Sequence, residues 1–175
     1  MKVLYVFVNE KGQFGNPVGI ILDTKDEIST DKRQKIAAES GFSEAVFVND
    51  LDTNNISIYS PQREIPFAGH ALVGASYFLS QEYKKPITQL VGIGGVISTW
   101  QKDSLTWIRG KLSITPPWNY EQLQSPSEVD SFSPEQTSLM KHTVVWAWKN
   151  KEIGIIRARP FDSKYAEVGG LVKTK

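Results

Sequence analysis

The sequence predicts an α+β fold in which a barrel-like mixed sheet is wrapped around a central apolar helix. We expect this helix from about His70 to Tyr83, where apolar and small residues project in every direction around a 3.6-residue turn. The segment is too short to span a bilayer, which takes roughly 20 apolar residues. Many short runs that are typical of strands lie on either side of it in the chain. We therefore expect protein on all sides of the helix, with the strands forming the surrounding sheet.

The segments before the central helix predict four strands and one short surface helix. This helix begins at an N-cap within residues 29–31 and stops at Gly41. Ile36 and Ala37 form its expected inner face. Apolar runs bounded by turn-forming residues give the strands. The expected strands are 2–8, 18–22, 45–48 and 56–59.

The segments after the central helix predict further strands in two groups. The first group comprises residues 88–91, 96–100, 105–108 and 111–114. Residues 119–142 are rich in Gln, Ser, Pro and Glu, which predicts a linker with at most a short helix at 133–139. The second group comprises a hairpin of 144–148 with 153–159, followed by a closing strand at 166–172. The prediction is therefore a larger strand-rich unit, a linker and a smaller strand-rich unit.

Composition excludes several classes of function. The chain has 175 residues and no cysteine, which removes disulfides, zinc knuckles and thiol catalysis. With 20 basic and 19 acidic residues the net charge is +1, so we expect no nucleic acid partner. The apolar run at the start stops at Asn9-Glu10, too early for a signal sequence. No spanning segment is visible, so we expect a cytoplasmic protein that has no membrane partner.

Two side chains suggest proton-transfer chemistry. Glu44 precedes an apolar strand, and a partly buried carboxylate can both accept a proton from carbon and return it. His70 lies at the start of the apolar helix, where free N–H groups favour an anion such as a substrate carboxylate. Each residue also has a plain structural interpretation. An isolated Glu before a strand is usually solvated, and an isolated His is more often a capping or core residue.

Three sequence blocks carry a resemblance to a known family. They are Gly15-Asn16-Pro17, Ser43-Glu44 before an apolar strand, and the run from Tyr59 to His70 that ends in Pro66-Phe67-Ala68-Gly69-His70. In order and approximate spacing they resemble the PhzF-like family of phenazine-biosynthesis isomerases. That family is similar in fold to diaminopimelate epimerase, in which each half is a barrel-like sheet around a central helix. The fold implied by the resemblance agrees with the one predicted from the residue pattern.

The resemblance also implies a set of site residues. Glu44 matches the acid–base carboxylate of the family, and His70 is a second catalytic residue. The epimerase relatives have a cysteine base at the position of Ala68, so its absence implies a one-carboxylate isomerase. The implied activity is a cofactor-independent and metal-independent isomerase or epimerase that shifts a proton between carbons of a small carboxylated metabolite. The substrate-binding residues that follow are Ser43, Gly69, Ala71 and Asn16.

The resemblance weakens beyond Trp118. An Asp-Pro-x-Thr-Gly-Ser-Ala motif, which starts the second central helix in the family, is missing after Phe161. The resemblance therefore divides the chain into a first lobe at 1–118, a linker at 119–142 and the remnant of a second lobe at 143–175. It leaves open an alternative, a catalytically inactive relative that acts as a binding or scaffold protein. A shortened second lobe would leave apolar strands uncovered, so we also expect a homodimer.

Overall fold

The computed structural model describes residues 1–8, 11–13, 15–114, 117–132, 142–161 and 170–173. The chain divides into two compact units, Met1–Thr115 and Pro116–Lys175. The described residues of the first unit form an eight-stranded sheet with two α-helices, and those of the second form a four-stranded sheet with one short α-helix. The division falls close to the boundary of the first lobe that the sequence predicts.

The sheet of the first unit follows the order β1-β2-β3-β4-β6-β7-β8, with the short β5 paired to β4. Strands β2 and β3 are parallel, as are β4 and β6, and the other neighbours are antiparallel. The two-residue β5 was not predicted. The strands are β1 (Lys2–Val6), β2 (Asn16–Leu22), β3 (Ala45–Asp50), β4 (Asn55–Tyr59), β5 (Glu64–Ile65), β6 (Gln89–Gly92), β7 (Gly95–Lys102) and β8 (Leu105–Arg109).

The central helix α2 (Gly69–Tyr83) confirms the predicted core element. It packs against β1, β2, β3, β6 and β8, so both edge strands of the sheet reach it and the sheet curls around it. Leu72, Phe78 and Leu79 are 2%, 5% and 1% exposed. They belong to one apolar core together with inward-facing side chains of the strands. This burial is the main source of the stability of the first unit, since isolated helices of this length are marginal in water.

One part of the expectation for α2 was wrong, because the helix is not covered on all sides. Tyr77 is 46% exposed, Val73 is half-buried and Gln81 is exposed. These residues are spaced by four, so they form one stripe along the helix. The sheet is a half-barrel that leaves this stripe open. A tyrosine suits this position because its apolar ring can lie along the helix surface while its hydroxyl remains in water.

Helix α1 (Thr30–Glu39) lies on the outer surface of the sheet, near β3 and β4. The Ser29 hydroxyl accepts a hydrogen bond from the Lys32 N–H, and Gly41 follows the helix with φ of +74°, as the sequence predicts. Ala37 is buried, and Ile36 packs against the same small cluster. The sequence pattern missed Arg33, which is buried and forms a 2.6 Å ion pair with Asp23.

The strand predicted at 111–114 was wrong. Residues Leu112–Ile114 form a 3₁₀ turn instead, in which the Ile114 N–H donates to the Lys111 carbonyl at 3.2 Å. The preceding strand β8 is the last in the sheet order, and the chain leaves it at Gly110. A single turn brings Ile114 back to the apolar core. The chain therefore turns so that the Ile114 side chain packs on the core, and the strand does not continue.

The second unit contains strands β9 (Asn119–Gln122), β10 (Thr143–Asn150), β11 (Ile155–Phe161) and β12 (Gly170–Lys173), with helix α3 (Pro126–Ser131). The predicted hairpin is confirmed, since β10 and β11 are antiparallel. The segment 119–142 differs from the expected linker, because β9 pairs in parallel with β10 and Val129 of α3 is buried. The short helix expected at 133–139 and the start of the predicted closing strand lie outside the described residues. Within the described ranges, no helix combines the length and apolarity needed to cross a membrane.

Candidate active site

Three elements of the first unit bring the predicted site residues to one place. Asn16 is the first residue of β2, and Glu44 immediately precedes β3. Because β2 and β3 are parallel neighbours, with Gly19 opposite Ala45, their starts lie at the same edge of the sheet. His70 is in the first turn of α2 and contacts both Ser43 and Glu44. The site therefore lies where two strands and the central helix all begin.

The contact between Glu44 and His70 is the centre of this site. Oε2 of Glu44 lies 3.1 Å from Nε2 of His70, and their side chains are 17% and 9% exposed. The carboxylate oxygen is fully buried, and the angle at this contact falls short of a hydrogen bond. Oε2 therefore has no well-aligned donor in the described part of the chain. A buried carboxylate oxygen without such a donor keeps its lone pairs free to accept a proton.

Ser43 and Asn16 extend the contact into a short polar chain. The Ser43 hydroxyl oxygen lies 3.4 Å from Nε2 of His70 and 3.5 Å from Oδ1 of Asn16. These distances are at the upper limit for hydrogen bonds. The family motifs placed all four residues at the site, but the contacts join residues that are 26 or 27 positions apart in the chain, and only the fold brings them together. The direct Glu44–His70 contact was not predicted.

Burial controls the charge of His70. Loss of solvent lowers the pKa of the His70 imidazole below its usual value, and this effect outweighs the neighbouring Glu44 carboxylate, which raises the pKa. The neutral ring is therefore favoured at neutral pH. A neutral imidazole at this position can donate one hydrogen bond and accept another.

The first turn of α2 offers backbone donors next to these side chains. The first intrahelical bond is donated by the Leu72 N–H to the Ala68 carbonyl at 3.0 Å. The N–H groups of Gly69, His70 and Ala71 precede it and have no partner within the helix. Ala68 is the N-cap residue, and its methyl side chain cannot accept a hydrogen bond. Such a helix start favours an anion through both its free donors and its dipole.

The space beside Gly69 is open. A Cβ atom added at Gly69 would meet no heavy atom within 4 Å, whereas one added at Gly74, further along the same helix, would lie 2.8 Å from Cγ1 of Val18. Gly74 is therefore required for close packing of the helix on the sheet. Packing does not require Gly69, and the open space leaves room for a ligand at the helix start.

We expect the variants Gly69→Ala and Gly74→Ala to separate the site from the fold. Gly69→Ala should leave stability unchanged or raise it by up to ~1 kcal/mol, because Ala is the better helix former. Gly74→Ala should cost about 1–3 kcal/mol through overpacking. Hydrogen exchange of the α2 amides measures both effects. A loss of stability in Gly69→Ala that matches the loss in Gly74→Ala would contradict an open space at the helix start.

We also expect the His70 ring to titrate below about pH 6.5, the ordinary value for histidine. Because burial depresses the pKa in the folded state, the unfolded chain binds the proton more tightly. The resulting stability is present above about pH 6.5 and is lost as the pH falls through the lower folded-state pKa. NMR titration measures this pKa, and His142→Gln assigns the two histidines of the chain.

Glu44→Gln is the matched variant for this titration. Removal of the carboxylate takes away the interaction that raises the pKa of His70, so the titration midpoint should move further down. A His70 midpoint at or above 6.5 in the unchanged protein, or an upward shift in Glu44→Gln, would contradict the buried environment described here.

A separate cleft in the first unit carries no comparable chemistry. It is lined by apolar side chains and glycines, among them Ile58, Leu72 and Leu90, and does not include Glu44 or His70. The described residues also contain no group of three or more His, Cys, Asp or Glu side chains placed to hold a metal ion. The polar chain from Asn16 to Glu44 is therefore the strongest candidate for a reactive site in the first unit.

The half-barrel around α2, with Glu44 and His70 at its start, defines an α+β protein with the epimerase-like fold. The chain belongs to the phenazine biosynthesis-like protein family, whose model matches residues 5–149. This confirms the resemblance on which the site residues were assigned. The matched range includes the whole described site.

Individual relatives agree with this family. A trans-2,3-dihydro-3-hydroxyanthranilate isomerase of Pseudomonas aeruginosa is 39% identical over 87 residues, which cover 47% of this chain and 30% of the relative. An uncharacterized isomerase of Mesorhizobium japonicum is 41% identical over 80 residues, or 43% of this chain and 26% of the relative. The chain thus matches less than a third of the length of these two relatives. Both relatives are named as isomerases.

Solved structures support the fold. A phenazine biosynthesis protein of the PhzF family from Enterococcus faecalis superposes with a TM-score of 0.71 at 18% identity, covering 93% of this chain and 72% of that one. A predicted epimerase from Pseudomonas aeruginosa gives a TM-score of 0.60 at 17% identity, covering 98% and 76%. At these identities the likeness concerns the fold, and both structures share the epimerase-like architecture.

Proposed function

We propose that this protein is a cofactor-independent and metal-independent isomerase that moves a proton between two carbons of a small carboxylated metabolite. The observation that carries the proposal is the 3.1 Å contact between Glu44 and His70 beside the unpaired N–H groups at the start of α2. Glu44 supplies a carboxylate, His70 supplies a neutral imidazole, and the first turn of α2 supplies an anion site. These are the groups that such a reaction needs.

Glu44 is the general base and then the general acid in this proposal. Its carboxylate takes a proton from one carbon of the substrate, and the electron pair of that C–H bond moves into the conjugated system of the substrate. The same carboxyl group, after its proton has exchanged with solvent, then delivers a proton to another carbon. The electron pair of a double bond forms the new C–H bond, so atoms and electrons balance within the substrate.

His70 is the second catalytic residue. As a neutral ring it has one N–H donor and one bare ring nitrogen, so it can hydrogen-bond at the reacting centre without adding a charge there. The substrate carboxylate binds at the helix start. Ser43, Gly69, Ala71 and Asn16 are the proposed substrate-binding residues, and Ala71 contributes its backbone N–H because its side chain is fully buried. Ala68 offers no thiol as a second base, which supports a route through a single carboxylate.

Incorporation of solvent deuterium tests this function. The probe is trans-2,3-dihydro-3-hydroxyanthranilate, the compound in the name of the Pseudomonas aeruginosa relative, incubated with the protein in D₂O. We expect isomerised product that carries one deuterium at the newly protonated carbon, detected by mass spectrometry. A related carboxylic acid without a removable C–H proton is the matched control compound. Absence of both product and exchange with this probe and its close analogues would favour a non-catalytic relative.

We further propose that the protein is a cytoplasmic homodimer whose interface includes the β10–β11 hairpin, residues 143–161. In the second unit Tyr120 and Ile153 are 65% and 53% exposed, and Trp146 and Trp148 are half-buried. Exposed apolar strands of this kind commonly bind a second chain. Light scattering should give twice the 19.6 kDa chain mass at tens of micromolar. A monomer that persists at that concentration would contradict the dimer.

A further inference from the structure

We propose that Asn16 is a positioning residue that fixes the tautomer of His70 through the Ser43 hydroxyl. The three residues form one chain, in which Asn16 Oδ1 lies 3.5 Å from Ser43 Oγ and Ser43 Oγ lies 3.4 Å from His70 Nε2. Nε2 also lies 3.1 Å from Glu44 Oε2. Nε2 therefore has two oxygen neighbours. The Ser43 hydroxyl can either accept a hydrogen from Nε2 or donate one to it, and this choice decides the tautomer.

Counting hydrogens shows how Asn16 acts. The Ser43 hydroxyl has one hydrogen, and the amide oxygen of Asn16 can only accept. If Nε2 carries its hydrogen, the Ser43 oxygen can accept it while the Ser43 hydroxyl donates to Asn16, and the Glu44 carboxylate lies nearby without an aligned hydrogen bond. Every polar hydrogen then has an acceptor, and Nδ1 is the unprotonated nitrogen.

The alternative tautomer is less favourable. If Nε2 carries no hydrogen, the Ser43 hydroxyl must donate to Nε2 instead of to Asn16. The amide oxygen of Asn16 then loses its donor. The Nε2 lone pair then faces the buried Oε2 of Glu44 at 3.1 Å unless Glu44 is protonated. Asn16 thus favours the tautomer with hydrogen on Nε2, because it offers the Ser43 hydroxyl a competing acceptor.

The backbone around Asn16 is well suited to this role. Asn16 opens β2 and pairs with Val6 of β1, and Pro17 follows it and restricts the chain. Ser43 lies two residues before Ala45, which opens the neighbouring parallel strand β3. Asn16 therefore extends from the start of a strand, and Ser43 from the bend that leads into the neighbouring strand. A group held on a regular element, as Asn16 is, keeps its geometry better than a group on a loop.

The inference concerns the same site as the proposed function, and its consequence for turnover rests on that function. Its primary test is the tautomer, which is measured without any substrate. Failure of the tautomer prediction would leave the proton-transfer function intact. Failure of the proposed isomerase activity would in turn leave the tautomer result unaffected.

The test uses ¹⁵N NMR of the imidazole rings at neutral pH, with His142→Gln as the assigning variant because the chain has two histidines. The unchanged protein should show hydrogen on Nε2 of His70. Asn16→Leu keeps the volume but removes the acceptor, so the Nε2 resonance should move toward the position of an unprotonated ring nitrogen. Asn16→Asp retains an acceptor oxygen at the same place and should retain the original tautomer.

A double-variant cycle isolates the path through the hydroxyl. Ser43→Ala removes the hydroxyl that could donate to Nε2, so the hydrogen should remain on Nε2. Adding Asn16→Leu to this variant should cause no further shift of the Nε2 resonance. If Asn16→Leu does not fold, Asn16→Ala carries the same prediction. An unchanged tautomer in the variant without the acceptor, or an equal shift with and without the Ser43 hydroxyl, would overturn the proposal.

Discussion

Replacing Glu44 with Gln should reduce turnover by about 10²–10⁴-fold, the usual contribution of general acid–base catalysis. The amide has nearly the same shape as the carboxylate but cannot accept a proton from carbon. In the structure Oε2 of Glu44 is buried and lies 3.1 Å from Nε2 of His70, so the change alters the reactive group and little of the packing. Deuterium incorporation into the probe compound measures the effect, and the loss should appear mainly in kcat.

Glu39→Gln is the matched control for this prediction. Glu39 is exposed at the end of α1, where it forms a 3.8 Å pair with Lys35. Exposed pairs of this kind contribute about 0–1 kcal/mol to stability, so this variant should retain full turnover. If Glu44→Gln incorporated deuterium at the rate of the unchanged protein, Glu44 would play no part in the proton transfer.

The central helix could be predicted from sequence because its pattern is locally complete. A run of apolar and small residues flanked by charge indicates a buried helix without knowledge of its partners. The same holds for α1, where the Ser29 cap and the left-handed Gly41 act on neighbouring residues. Local signals of this kind do not depend on the rest of the fold. These two helices were accordingly placed within two residues of their observed ends.

Other features depend on contacts that are distant in sequence. Arg33 has the sequence signature of an exposed helix residue, yet it is buried because Asp23 and the Asn49 side chain accept its hydrogen bonds at 2.6 Å and 2.9 Å. The strand β9 lies in a polar segment that resembles a linker, and it forms because the edge of β10 is available to pair with it. Neither partner can be identified from the segment alone.

The candidate site lies between these two cases. Family motifs identified Glu44, His70, Ser43 and Asn16 as site residues, but the motifs contain no distances. The parallel pairing of β2 with β3 and the start of α2 at the same edge bring the four side chains into one polar chain. Which hydrogen each group holds follows from that geometry. The role proposed for Asn16 therefore could not have come from sequence.

The position of α2 in the half-barrel is also fixed by a few buried polar contacts. Ser76 and Thr99 are 1% and 3% exposed, and their hydroxyl oxygens lie 2.7 Å apart. The Thr99 hydroxyl donates to the Trp107 carbonyl at 2.7 Å, so Ser76 must donate to Thr99. This link joins the helix to β7 and β8. Because buried hydroxyl groups are costly without partners, it favours one register of the helix on the sheet.

Leu79→Ala should lower the free energy of unfolding of the first unit by about 2–5 kcal/mol, as for large-to-small changes in well-packed cores. Leu79 is 1% exposed and lies in the apolar core formed by α2 and the sheet. Its truncation leaves a cavity that the curled sheet can collapse into only partly.

Hydrogen exchange of the α2 amides, read by mass spectrometry, measures this change within the first unit. That readout is preferable to tryptophan fluorescence. Tryptophans lie in both units, so the fluorescence signal would combine the unfolding of the two units. Tyr77→Ala is the matched control, since Tyr77 is on the same helix and larger but 46% exposed, in the open stripe. It should cost much less than Leu79→Ala. Equal losses in the two variants would mean that the helix does not have one open and one buried side, and the half-barrel arrangement that places His70 beside Glu44 would then be wrong.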